Sequence, residues 1–164
     1  MILENSKETS ISLESELESL NLYLELESLR FQDRFRYKIS VPKELLETDV
    51  KVPPLIIQPF AENAIWHGLM HKPETGQLDI EISSEKDQLC IRIADDGIGR
   101  EKSREIESKS AILHKSMGQQ ITMERIAALG SHDAAKSSVS VNDLVNTDGK
   151  GAGTEVIIQI PLMY

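Results

Sequence analysis

Leu13, Leu17, Leu20, Leu24 and Phe31 recur at spacings of 4, 3, 4 and 7, the seam of an amphipathic helix. Leu22, Leu26 and Leu29 add a second stripe, so more than one side of this helix is expected to be covered. Ser12 is placed to cap it, with Glu14 and Glu16 in the first turn, where the helix dipole favours anions. From Phe35 the period changes to two. Phe35, Tyr37, Ile39 and Val41 alternate with polar residues and predict a strand that Pro42 stops. After Pro53-Pro54 the helical period returns from Leu55 to Leu69, with Pro54 suited to the first turn and Gly68 and Pro73 ending it. Leu78, Ile80 and Ile82, then Leu89, Ile91 and Ile93, form two alternating runs joined by the polar turn Ser84-Glu85-Lys86-Asp87, which predicts a hairpin. Asp95-Asp96-Gly97-Ile98-Gly99 breaks the second run. The polar, serine-rich stretch from Arg100 to Ser116 has no apolar period and reads as a loop. Gly118 leads into a helix with Ile121, Ile126 and Leu129, ended by Gly130. Val139 and Val141, and then Val156, Ile158 and Ile160, predict two last strands around a turn region from Asn146 to Gly153. This order suits a two-layer α/β sandwich with a largely antiparallel sheet.

A chain of 164 residues holds one ordinary core with room for an appended helix. Hydrophobic residues at 40% and charged residues at 27% are a globular balance, and aromatics at 4% make the core aliphatic. The formal charge of −9 argues against wrapping nucleic acid or lying on an anionic membrane, both of which want a basic patch. It leaves room for a nucleotide, which needs only a local site. The single cysteine, Cys90, excludes an internal disulfide and a Cys-based zinc site, and points to a reducing compartment. No apolar run approaches the ~20 residues of a membrane span, and Met1 to Ser10 is too polar for a signal peptide. A cytoplasmic domain is expected. Up to Arg34, three basic residues stand against eight acids, a net of −5. That fits a solvated helix on the flank of a domain, or part of a helical bundle; the double leucine stripe favours the bundle.

Three polar or glycine-rich clusters interrupt these elements. In Glu62-Asn63-Ala64-Ile65-Trp66-His67-Gly68, an Asn stands inside a helix, where it is a poor former. Amide oxygen beside carboxylate is hard-cation chemistry suited to Mg²⁺, although both residues could simply face solvent. Asp95 at the end of a buried strand can accept from an exocyclic amine such as that of adenine, while Gly97 and Gly99 let backbone approach a ligand closely. A plain turn would use the same residues. Gly149-Lys150-Gly151-Ala152-Gly153-Thr154 precedes a strand, so it is neither a Walker A loop nor a dinucleotide fingerprint, both of which open a helix. Lys115, Ser116 and Gly118 precede a helix, whose free amides and positive dipole end suit phosphate. His67 and His71, four apart, lack a third zinc ligand, no Gly-x-Ser-x-Gly elbow exists, and Cys90 reads as packing rather than as a nucleophile.

Taken together, the clusters resemble a known family. The run from Pro53 to Gly68 resembles the N box of LytS-like sensor histidine kinases, and Asp95-Asp96-Gly97-Ile98-Gly99 their first glycine box. His114-Lys115-Ser116-Met117-Gly118 with Glu124-Arg125-Ile126 resembles their lid and following helix, and Gly151-Ala152-Gly153-Thr154 their last box. The helix from Tyr23 to Phe31 is similar to the one that precedes the catalytic domain in this subfamily. The resemblance implies the Bergerat ATP-binding fold of the GHKL superfamily, a mixed sheet covered on one face by helices, with residues 1–34 as the C-terminal part of a dimerisation and phosphotransfer helix and residues 35–164 as the ATP-binding catalytic domain. It implies ATP and Mg²⁺ as cofactors. Asn63 would bind Mg²⁺, Glu62 would help polarise the attacking group, His67 would lie near the nucleotide and Asp95 would recognise the adenine amine. Gly97 and Gly99 would shape the purine pocket, Lys115, Ser116 and Gly118 would meet the phosphates, and Thr154 would support Asp95 through a water.

The implied activity is that of a protein-histidine kinase, passing the ATP γ-phosphoryl group to a histidine and thence to a response regulator, within a homodimeric parent. Any membrane contact would come through missing parts of that parent, and no nucleic acid is implied. Asp96 stands where Asn is common, and as a negative charge near phosphates it must face away. Trp66 replaces a frequent Lys, so one expected phosphate cation is absent. The first histidine is His67, inside the N box, and His71, His114 and His132 fall in loops or after helix ends. The chain is therefore expected to be a fragment that binds nucleotide without phosphorylating itself on the usual histidine. The alternative is a degenerate nucleotide-binding regulatory module without turnover; an anti-sigma serine kinase of the same superfamily fits the N box less well.

Overall fold

The computed structural model describes residues 10–109, 117–129 and 137–164. A two-residue strand β1 (Ile11–Ser12) runs into helix α1 (Leu13–Arg30), whose first turn is capped by Ser12, with Ser15 N–H donating to its hydroxyl at 3.1 Å. Leu13, Leu17, Leu20 and Leu24 are buried, as their spacing requires. The second stripe is not covered: Leu22, Leu26 and Leu29 are 61, 66 and 72% exposed. Strand β2 (Phe35–Ser40) is followed by two elements that the apolar pattern did not announce, the short helix α2 (Lys43–Glu47) and strand β3 (Lys51–Val52), which pairs with β1.

The next helix starts later than the expected Leu55. Helix α3 spans Gln58–Asn63, with Pro59 in its first turn, and continues as a π-helical turn over Ala64–Gly68 and a 3₁₀ turn over Leu69–His71. The delay has a tertiary cause. The buried carboxylate of Glu16 on α1 accepts the backbone N–H groups of Leu55 and Ile56 at 3.0 Å each, with a longer contact from Ile57 at 3.4 Å. Leu55 takes the left-handed conformation, φ 57°, which costs a non-glycine residue roughly 1 kcal/mol. Helical backbone cannot propagate through it.

Strands β4 (Gly76–Glu85) and β5 (Gln88–Asp95) form the expected hairpin, tightened to the two residues Lys86 and Asp87. Both have positive φ, 48° and 63°, as a type I′ turn requires. Arg100–Lys109 is a helix, α4, where a loop was expected. Its sequence is rich in Arg, Glu and Lys, good helix formers, yet it offers no apolar stripe for a periodicity argument to detect. Helix α5 (Met117–Leu129) and strands β6 (Ser138–Val145) and β7 (Gly151–Pro161) complete the described chain.

The sheet order is β2-β4-β5-β7-β6, with β2 and β4 parallel and every other pair antiparallel. Register aligns the apolar rows: Ile80 faces Ile93, Ile93 faces Val156, and Ile91 faces both Ile82 and Ile158. These side chains share one apolar cluster with Leu20 and Leu24 of α1, Phe60 of α3, Ile65 of the π turn and Ile126 of α5. The other face of the sheet is polar and partly solvated, laced by Arg92 to Glu155 at 2.6 Å and to Glu81 at 3.5 Å, and Cys90 sits half-buried on it. The architecture is the expected two-layer α/β sandwich with a mixed sheet.

Candidate functional site

Where β5 ends, the chain must turn sharply under the helical layer, and three glycines make this possible. A side-chain carbon on Gly97 would stand 2.4 Å from the Gly68 carbonyl carbon, and one on Gly68 would stand 2.7 Å from Asp95 Oδ1. A carbon on Gly153 would fall 1.8 Å from the Asp95 carbonyl oxygen. The π turn, the β5 terminus and the start of β7 therefore meet backbone against backbone around Asp95. π-helical turns of this kind are often found at functional sites.

Beside that junction lies a cavity of about 780 Å³, walled by α3, the π turn, α4, α5 and the ends of β5 and β7. Asn63, His67, Asp95, Gly99 and Thr154 of the expected site all line it, together with apolar Phe60, Ile93, Met123 and Val156. A mostly apolar concavity with a few convergent polar groups is the usual form of a small-molecule site.

Asp95 is 6% exposed. Burial pushes its carboxyl up to about 7, and the neighbouring Asp96 adds to the rise; N–H donors from the backbone of Gly97, at 2.9 Å, and of Thr154 pull the other way, as does Lys72. The carboxyl is thus held rigidly at the cavity wall in a poorly solvated place, suited to accept from a ligand N–H. Asp96 turns away from the cavity, accepting from Gln77 N–H at 2.7 Å and pairing with Lys72 at 3.1 Å. Its charge is thereby accommodated outside the site.

Asn63, half-buried, lines the same cavity, and its side-chain amide donates to Gln119 Oε1 on α5. With Nδ2 so engaged, Oδ1 is the atom left to face a cation. One amide oxygen is a sparse set for a dedicated metal cage but fits Mg²⁺, which is commonly held by one or two protein oxygens, phosphates and water. Glu62 does not join this set. It is exposed on the α1 side of the helix, where its charge, with that of Glu27, adds to the burial that raises the Tyr23 phenol. Trp66 also faces α1: its ring meets Phe31 edge-on at 5.2 Å, with the Arg30 guanidinium 5.2 Å above it. Gly118 is the second residue of α5. Lys115 and Ser116, like His114 and His132, lie outside the described residues.

Several wall residues were missed by sequence reasoning, namely Gln119, Arg100, Ser103 and Arg104. Arg100 and Arg104, four apart directly after Gly99, were the available signal, since that spacing puts both on one helical face. Arg100 is tethered to Asp143 of β6 by two bonds, at 2.7 and 2.8 Å, which hold the Asp143 carboxyl below its usual value. Both partners are well exposed, so Asp143→Asn is expected to lower stability by less than about 1 kcal/mol, read as a thermal midpoint. A larger loss would mean that the tether orders α4 against β6.

No family model matches the chain. It is 37% identical over 100 residues to the sensor protein LytS of Oceanobacillus iheyensis, covering 61% of this chain and 17% of that protein. It is 36% identical over 85 residues to the sensor histidine kinase BtsS of Escherichia coli K12, covering 52% and 15%. The matched region spans roughly a sixth of these curated relatives. Among solved structures, the catalytic domain of histidine kinase ThkA superposes with a TM-score of 0.61 at 15% identity, over 93% of this chain and 94% of that one. A mycobacterial sensor histidine kinase, MprB, gives 0.61 at 15%, over 94% and 97%. These structures share the fold: a five-stranded mixed sheet under helices. Over the matched residues the chain is similar in sequence to LytS and BtsS sensor kinases, and it has the fold of histidine kinase catalytic domains.

Proposed function

We propose that this chain binds ATP with Mg²⁺ and serves as the catalytic part of a two-component sensor kinase, directing the γ-phosphoryl group to a histidine that this sequence does not contain and thence to a response regulator. The observation that carries the reading is one cavity lined by both Asp95 and Asn63. Asp95 would accept from the adenine amine, with Thr154 and Gly97 fixing its orientation. Gly99 would border the purine, and His67 would lie along the nucleotide. Asn63 Oδ1 would hold Mg²⁺, whose contribution is to neutralise phosphate charge. Arg104, on the cavity wall, is a cation in place of the one that Trp66 does not supply. Lys115 and Ser116, which precede α5, and Gly118, its second residue, remain the proposed phosphate contacts. Catalysis of this kind is mostly positioning and charge neutralisation.

Glu62 would act, if it acts on the attacking group, from outside the cavity, toward whatever sits on the α1 side. Residues 1–34 would be the end of a dimerisation helix and 35–164 the catalytic domain, in a homodimeric parent with this part in the cytoplasm. One finding supports the setting: histidine kinase ThkA, a solved structure of the same fold, is seen in complex with the response regulator protein TrrA.

Calorimetric titration with ATP, with and without Mg²⁺, tests the site. Saturable binding is expected, and Asn63→Ala should remove most of the Mg²⁺-dependent part, a loss of roughly tenfold or more. A histidine-bearing dimerisation segment of a LytS-like kinase, added in trans, should then become phosphorylated. Binding without transfer would favour a regulatory module; no binding would overturn the reading.

A further inference from the structure

Helix α1 reaches the nucleotide-site helix at both of its ends, and neither contact belongs to the cavity. At the entry, Glu16 is 2% exposed and spends its carboxylate on the backbone N–H groups of residues 55–57, some 40 positions along the chain. Those N–H groups belong to the three residues that lead directly into α3, whose N-cap is Ile57. At the exit, Trp66 is seated against Phe31 and under Arg30. Asn63 stands between the two contacts and His67 directly after the second, and both line the cavity. Leu55, held left-handed at φ 57°, ends the preceding segment, so the carboxylate sets both where helical backbone begins and the rotation with which it begins. A helix rotated by one residue turns its side chains by about 100°. That would carry Asn63 out of the cavity.

We propose that Glu16 is a positioning residue of the nucleotide site: through residues 55–57 it sets the phase of the N-box helix and thereby ties Asn63 to helix α1. The inference rests on the ATP-binding reading above and deepens it. It divides the site in two. The adenine half hangs on Asp95 of β5, which Glu16 does not touch; the phosphate half hangs on Asn63, which moves with the helix that Glu16 anchors.

The test compares ATP·Mg²⁺ with adenosine as ligands of the whole chain, of Glu16→Gln and of Glu16→Asp, by calorimetry at a temperature where all three are folded. Glu16→Gln keeps the shape but turns a donor toward a donor, so ATP·Mg²⁺ affinity is expected to fall roughly tenfold while adenosine affinity stays within twofold. Glu16→Asp, a shorter carboxylate, should recover part of the loss. Trp66, the single tryptophan, supplies a second readout: its emission change on ATP binding should shrink in Glu16→Gln. Equal losses for both ligands, or no loss for either, would mean that Glu16 only stabilises the fold, and would overturn the proposal. If Glu16→Gln does not fold, Glu16→Asp decides by the same comparison. Absence of ATP binding to the unaltered chain would instead remove the reading on which the proposal stands.

Discussion

Replacing Asp95 by Asn is expected to lower ATP affinity roughly a hundredfold and at the same time to raise the stability of the chain above pH 7. Both effects come from one placement. A carboxyl with 6% exposure is poorly solvated, and its value is pushed from 3.8 to about 7. Below about pH 4 the group is neutral in folded and unfolded chains alike, and its burial carries no charge penalty. Between pH 4 and 7 the unfolded chain releases the proton and the folded chain keeps it, so stability falls as pH rises. Above pH 7 the full penalty is present, on the order of 4 kcal/mol if taken from the shift alone. An Asn would remove the charge but could not accept from both Gly97 and Thr154 backbone N–H groups, so a net gain of about 2 kcal/mol is the expected figure. Thermal midpoints of the two proteins should diverge from pH 4 to pH 8. A parallel pH profile would mean that Asp95 is not the group responsible. The same half-protonated carboxyl should shed about half a proton when an amine donor binds at pH 7. Calorimetry in buffers of different ionisation enthalpy reads this directly, and Asp95→Asn should abolish it. A function that holds a destabilised carboxylate in place is a common trade in binding sites.

Much of this fold is legible as period. The rows Leu78-Ile80-Ile82, Leu89-Ile91-Ile93 and Val156-Ile158-Ile160 announce strands with one buried face, and the register lays them side by side. The leucines of α1 are legible for the same reason. Helix α4 is not, because period reports burial and α4 buries little: of its side chains described, Ser103 is the buried one. The start of α3 is not legible either. Pro53-Pro54 and the apolar run predict an earlier helix, and what prevents it is a carboxylate that arrives from another element.

The site divides along the same line. Asn63, His67, Asp95, Gly99 and Thr154 stand out as residue types that do not belong inside apolar elements, and they line one cavity. Facing is what the types do not reveal. Glu62 and Asn63 are neighbours in sequence, and neighbours on a helix do not share a face. One faces the cavity, the other α1. Asp95 and Asp96 at the end of a strand divide likewise, one inward, one to Lys72 and Gln77. Gln119 could not have been found, since nothing in an amphipathic helix marks the polar residue that will meet an amide on another.

Gly97→Ala is expected to destabilise the chain strongly through crowding alone, because Gly97 is not in a left-handed conformation. The new carbon would stand 2.4, 2.5 and 2.7 Å from the carbonyl carbon, Cα and carbonyl oxygen of Gly68. No side chain is there to swing aside. Gly68 cannot retreat along the same line without moving the π turn, which carries His67. A close-packed interior relieves such an overlap only by backbone shifts, costing about 3 kcal/mol here. For a chain of this size that is a fall in thermal midpoint on the order of 10 °C. The displacement also opens the cradle around Asp95, whose N–H donor is Gly97 itself. ATP affinity should fall at least tenfold with it. Gly149→Ala separates crowding from conformation. An added carbon there meets nothing within 4 Å, although φ is 75°. Its cost is the left-handed backbone alone, about 1 kcal/mol. Equal destabilisation by the two variants would mean that the π turn yields to the added carbon at little cost. A loss at Gly97 several times larger would mean that the direct approach of the π turn to the end of β5 is what holds the nucleotide wall in place.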